Sequence, residues 1–192
     1  MARSGQDEIR ECMKNFASIV SRIFDPMAGM AVVLLLALLR SGASWFIVLL
    51  WLFILIGPPT IMRLQALQRV GLDWDIRDRR RRIVPFVILL VMIACDLVLL
   101  KFFAPTALFR LFLFFFVWTL GFFLITAFAT KISGHAAGNA LAVGLILAWY
   151  GWRWWPALFI VPLVGWARVV TKNHTVMQVI VGILYSWSLL LL

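Results

Sequence analysis

Long apolar runs separated by short polar breaks organise this chain. Runs at residues 26–39, 45–62, 83–103, 107–129, 136–150, 157–167 and 175–192 consist almost wholly of aliphatic and aromatic side chains. A helix that crosses a hydrocarbon layer needs roughly 20 apolar residues. Most of the runs approach that length, and the shorter ones predict tilted or half-buried helices. The pattern therefore predicts an all-α protein, a polytopic transmembrane helix bundle of six to seven spans. Arg40-Ser41-Gly42-Ala43-Ser44, Pro105 and Gly151-Trp152-Arg153-Trp154-Trp155-Pro156 mark turns. The polar residues 63–82 predict the one long loop.

Residues 9–24 follow a different pattern. Ile9, Met13, Phe16, Ile19, Val20 and Ile23 share one helical face, with polar residues on the other. That periodicity predicts an N-terminal amphipathic helix lying in the membrane interface. The expected organisation is an interfacial segment over residues 1–25 and a transmembrane domain over 26–192.

Counting spans gives a topology. The N-terminus, the polar segment 63–82, the break at 130–135 and the break at 168–174 all fall on one side of the membrane. Fourteen of the 18 basic residues lie on that side, and the other side carries only Arg40, Lys101, Arg110 and Arg153. The positive-inside rule makes the basic side cytoplasmic. Trp45, Trp149, Tyr150, Trp152, Trp154 and Trp155 gather at the opposite boundary, as an interfacial aromatic belt does.

Composition agrees with this class. The 192 residues are 64% hydrophobic, with a mean hydropathy of +1.01, whereas soluble domains are about half apolar. The net charge of +10 reads as membrane topology and an anionic substrate rather than nucleic-acid binding. Cys12 and Cys95 lie in different settings, one polar and one mid-span, which argues against a disulfide or metal framework. Asp7, Glu8 and Glu11 interrupt any apolar core near the N-terminus, so that segment does not read as a secretory signal.

The chemistry-bearing residues sit in the polar breaks. Arg168 and His174, five residues apart, occupy the break before the last run, and Gln178 follows His174 by four positions. Positions i and i+4 share a helix face. The Gln178 amide oxygen can therefore accept the imidazole N–H and leave the other ring nitrogen free to attack an electrophile. Ser133-Gly134-His135 opens the fifth run, where a helix N-terminus offers unpaired N–H groups to an anion. His135 would stand beside that anion as proton donor. Asp75-Ile76-Arg77-Asp78-Arg79-Arg80-Arg81-Arg82-Ile83-Val84-Pro85 supplies guanidiniums that bind phosphate oxygens in bidentate fashion. At helical spacing Arg79 and Arg82 share a face. Lys131 and Lys172 read as topology charges. Asp96, inside a span, is costly there and a candidate for function.

These three pieces, in this order, resemble the type 2 phosphatidic acid phosphatase (PAP2) superfamily, whose motifs are Lys-x6-Arg-Pro, Pro-Ser-Gly-His and Ser-Arg-x5-His-x3-Asp. Here the second reads Ile132-Ser133-Gly134-His135 and the third Ala167-Arg168-x5-His174-x3-Gln178. The resemblance covers residues 75–180. It implies an integral membrane lipid phosphatase working without metal or other cofactor through a phosphohistidine. On that pattern His174 is the nucleophile and His135 the general acid. Ser133, Gly134 and Arg168 hold phosphoryl oxygens, with Arg79 and Arg82 in place of the first motif. Residues 26–192 would then form a PAP2-like phosphatase domain.

The chain departs from the family at Ala167, which replaces serine, and at Gln178, which replaces the aspartate that orients the nucleophile. The expected substrate is a polyprenyl phosphate or diphosphate, or a glycerophospholipid phosphate such as phosphatidic acid. The expected location is the plasma membrane, with the site on the cytoplasmic face. Two other classes stay open: a Mg²⁺-dependent intramembrane prenyltransferase using Asp73, Asp75 and Asp78, and a catalytically decayed lipid-binding homologue.

Overall fold

The computed structural model describes residues 5–40, 42, 44–70 and 83–191, with backbone alone at 58, 59 and 62–70. Among these the chain forms eight α-helices and no strand: α1 (Gly5–Ile23), α2 (Pro26–Arg40), α3 (Trp45–Val70), α4 (Ile83–Phe103), α5 (Thr106–Leu124), α6 (Gly134–Tyr150), α7 (Ile160–Val170) and α8 (Val176–Leu190). A π-helical turn, Ile125–Ala129, extends α5, and a 3₁₀ helix, Trp152–Phe159, precedes α7. The protein is an all-α bundle of membrane type. Ile83–Phe103, Thr106–Ala129 and the continuous stretch Gly5–Arg40 are long and apolar enough to cross a membrane by length and composition; Trp45–Gly57 and Val176–Leu190 are shorter apolar helices. Large apolar side chains face outward, Phe46 at 76% and Phe128 at 81% exposure among them. In water such surface would be costly, whereas in lipid it is ordinary.

The chain divides into two compact units, Met1–Met30 with Ile132–Leu192, and Ala31–Lys131. In the second unit α4 and α5 form a helical hairpin that turns at Ala104–Pro105. Phe86 on α4 meets Phe122 on α5 with ring centroids 5.2 Å apart. Asp96 is half-buried in the middle of α4.

The first unit is built around α6. Its opening is rich in small residues, and His135 to Val143 are buried without interruption. Small side chains allow close helix approach, which substitutes for the hydrophobic effect where the solvent is lipid. A Cβ on Gly182 of α8 would lie 3.1 Å from the Ser133 carbonyl oxygen, and one on Gly165 of α7 would lie 2.8 Å from Val179 of α8. Ser186 Oγ and Trp187 Nε1 donate to the carbonyls of Ala137 and Ala140, at 2.8 and 3.0 Å, tying α8 along α6. On the other flank α1 packs on α7 through Ala17, Val20, Val164 and Ala167. Of the apolar residues expected on one face of α1, Val20 is buried in this seam, while Ile9, Met13, Phe16, Ile19 and Ile23 stay exposed.

Several boundaries differ from the sequence expectation. α3 runs on to Val70, so residues 63–70 of the expected loop are helical, and residues 71–82 lie outside the described residues. Arg63-Leu64-Gln65-Ala66-Leu67-Gln68-Arg69 consists of good helix formers and carries no breaker, and polarity alone does not end a helix. The expected turn at Trp152–Pro156 is helical, in a 3₁₀ segment that reaches Phe159. The expected span 157–167 therefore splits, with its first residues in the 3₁₀ helix and the rest in α7, which extends through Val170. Arg168 consequently sits in the last turn of α7 rather than in a break.

Candidate functional site

The end of α7 explains why Arg168 and His174 are five residues apart. Thr171 caps the helix C-terminus, and Lys172 takes a left-handed φ of 56°. Lys172 N–H donates to the Val169 carbonyl and Asn173 N–H to the Arg168 carbonyl, at 2.9 and 3.1 Å. This pairing is a Schellman turn. The reversed chain brings His174 N–H to the same Arg168 carbonyl, at 3.2 Å. A fixed turn geometry thus ties the histidine to the arginine through the main chain.

The next residues fix the imidazole. Thr175 is the N-cap of α8, and Gln178 completes a capping box with it. Gln178 Oε1 accepts from Thr175 N–H at 3.2 Å and lies 3.2 Å from His174 Nδ1. An amide oxygen only accepts, so Nδ1 carries the proton and Nε2 presents its lone pair. One glutamine therefore caps the helix and sets the tautomer of a buried histidine.

The same turn of α8 holds the opening of α6. Ser133 N–H donates to the Gln178 carbonyl at 3.1 Å. Ser133 is wholly buried and is the N-cap of α6, where its Oγ accepts from Ala136 N–H at 3.3 Å. That cap uses a lone pair, which leaves the hydroxyl proton for an acceptor. Gly134 and His135 are the first residues of α6, whose N–H groups the helix itself cannot pair. The positive end of the helix dipole lies here as well.

Arg168 is 2% exposed, and His135 and His174 are each 6% exposed. The Asp25 charge acts on the buried Arg168 guanidinium. That guanidinium remains a cation at neutral pH.

Asp25 is the site residue that sequence reasoning missed. It lies between α1 and α2, caps α2 by accepting from Met27 N–H at 2.9 Å, and places its other oxygen 3.8 Å from His135 Nε2. Its only sequence signal was isolation: no other acidic residue occurs between Glu11 and Asp73. The structure gathers His174, Gln178, Ser133, Gly134, His135, Arg168 and Asp25 at the ends of α1, α6, α7 and α8 within one unit. Arg79 and Arg82 lie outside the described residues, as do Asp73, Asp75 and Asp78. Ala167 is fully buried in the α1–α7 seam, where a serine hydroxyl would meet Ala17, Val20 and Val164.

The arrangement combines an imidazole whose Nδ1 is held by an amide oxygen, a second imidazole beside a carboxylate, a buried guanidinium and a helix N-terminus. Together they suit an anion that changes its bonding at a tetrahedral centre. No family model matches the chain, and no solved structure matches it. One stretch of 59 residues is 41% identical to a lipid A 4'-phosphatase of Helicobacter pylori, covering 29% of this chain and 29% of that protein. The match thus spans less than a third of that relative.

Proposed function

We propose that this chain is an integral membrane lipid phosphatase that acts through a phosphohistidine without metal. The observation that carries the reading is the bond between His174 Nδ1 and Gln178, which directs the Nε2 lone pair away from the amide, in a histidine tied through the main chain to Arg168 and through Gln178 to the start of α6. The similarity to a lipid A 4'-phosphatase supports a lipid phosphatase activity, and the apolar exterior suits a substrate whose tail stays in the bilayer.

In the proposed reaction His174 Nε2 attacks phosphorus and the P–O bond to the lipid breaks. The His135 imidazolium gives its proton to the leaving oxygen. Water then attacks the phosphohistidine and passes a proton to His135, the P–N bond breaks, and inorganic phosphate leaves. Arg168, the Ser133 hydroxyl and the N–H groups opening α6 offset the charge that spreads over the equatorial oxygens. Arg79 and Arg82, which lie outside the described residues, are proposed as further phosphate ligands. The fitting substrates are phosphomonoesters or diphosphates on lipids, namely a lipid A phosphate as named for the relative, a polyprenyl phosphate or diphosphate, or a glycerophospholipid phosphate. The basic-residue asymmetry supports a plasma-membrane protein with this site on the cytoplasmic face.

The test is phosphate release by purified protein from a panel of these lipids in EDTA. Release that survives EDTA and is lost in His174→Ala supports the reading. Activity that requires Mg²⁺ favours the prenyltransferase class, and binding without turnover favours a decayed homologue.

A further inference from the structure

We infer that Asp25 is a positioning residue for His135, supplying from the α1–α2 junction the negative charge that the site lacks at Gln178. The inference rests on the phosphatase reading for its catalytic meaning and on the structure for the pairing. Among the described residues of this unit Asp25 is the one buried carboxylate, since Asp7, Glu8 and Glu11 are exposed on the first turns of α1. It is 6% exposed, with Oδ2 at 3.8 Å from His135 Nε2. That separation exceeds a hydrogen bond, so the carboxylate acts on the ring through charge. It favours the imidazolium form, which is the form a general acid needs.

The surrounding residues hold this pair in register. Asn139, one turn after His135, donates through Nδ2 to the Phe24 carbonyl at 2.9 Å and to the His135 carbonyl at 2.8 Å. A single amide thereby joins the residue before Asp25 to the histidine. Gly138 lets Pro26 approach, since a Cβ there would lie 3.2 Å from the proline ring. Asp25 is also held by its cap on Met27 N–H, which uses Oδ1 and aims Oδ2 at the ring. α6 thus carries His135, Gly138 and Asn139 on the turns that seat the α1–α2 junction. A cap alone would need neither the amide bridge nor the glycine.

The charged and titratable groups on the elements packed at this end are Asp25 at the α1–α2 junction, Arg168 on α7 and His174 ahead of α8. Lys131, half-buried, lies in the segment leading into α6, and Arg22 and Lys172 are exposed. Through the proposed cycle Asp25 stays ionised, while the proton moves from His135 to the leaving oxygen and returns to His135 from water.

The experiment is Asp25→Asn in the full-length protein. Asparagine caps a helix as well as aspartate does, so the substitution removes charge and keeps the cap. The chain has two histidines, so labelling the imidazole Cε1 with ¹³C gives two resonances, assigned through His135→Gln. In Asp25→Asn the His135 titration midpoint should fall by about one unit or more. The alkaline limb of the phosphatase pH profile should move down with it, while the acid limb stays in place. An unmoved midpoint overturns the pairing, and a moved midpoint with an unmoved profile overturns the catalytic role. Asp25→Ser, another capping residue, repeats the measurement if the asparagine variant does not fold. If the wild type releases no phosphate from any lipid, the phosphatase reading and the catalytic role fail, and the midpoint still decides the pairing.

Discussion

Gln178 Oε1 is shared between Thr175 N–H and His174 Nδ1, each at 3.2 Å, so the residue that starts α8 also selects the tautomer of the buried histidine. A neutral amide orients the ring but does little to stabilise an imidazolium. Gln178→Asp adds a charge at that position. It should raise the rate of phosphate release and move the acid limb of the pH profile upward by about one unit, because an adjacent anion raises the pKa of His174. Gln178→Met removes the acceptor that His174 Nδ1–H uses inside the protein, at a cost of about 1–3 kcal/mol, while the exposed Thr175 N–H can turn to solvent. Activity should fall tenfold or more. Steady-state kinetics across pH checks both variants.

Gly182 marks where α8 lies closest to the opening of α6. A Cβ there would lie 3.1 Å from Ser133 O, a backbone atom with little freedom to yield. Gly182→Ala should therefore push α8 away from Ser133 and separate the His174 turn from the α6 N-terminus. Overpacking of this kind costs about 1–3 kcal/mol. The expected result is a lowered melting temperature together with a larger loss in kcat than in lipid binding, measured on the same preparation.

Lys172 holds a left-handed φ of 56° in the Schellman turn. For an L-residue with a Cβ that conformation costs about 1–2 kcal/mol, and glycine avoids it. Lys172→Gly should raise the melting temperature by about 2–4 °C per kcal/mol recovered and leave kcat unchanged, since the lysine side chain is exposed. A fall in kcat would give the ammonium a role in the reaction.

The proposed cytoplasmic site is tested by Lys172→Cys in a background where the exposed native Cys12 and Cys95 are replaced by serine. An impermeant thiol reagent should label the new cysteine only after cells are opened. Ready labelling of intact cells would place the turn outside.

The helical class was legible because apolar runs of near-spanning length leave few alternatives. The run at residues 83–103 coincides with α4, Ile83–Phe103. The sequence marked Arg168 and His174 only by their spacing around a polar break, whereas the helix end, reversal and new helix start that tie them together appear only in the structure. α3 ran further than expected because Arg63 and Arg69 are as helical as the leucines between them. Asp25 was not legible, because its partner is 110 residues away and an Asp-Pro pair at a helix start already has a sufficient local explanation as a cap. Only packing through Asn139 and Gly138 brings it to His135. The burial of Ala167 was equally hidden, since the sequence marks it as a missing hydroxyl and the fold uses it as a contact with α1.

The central claim is a covalent phosphohistidine at His174. Rapid quenching of the protein with a ³²P-labelled lipid phosphate, in EDTA, tests it directly. The account predicts a phosphoenzyme that is labile in acid and stable in alkali, absent from His174→Ala and accumulated in His135→Ala. Undiminished phosphate release by His174→Ala, or label retained on another residue, would contradict it.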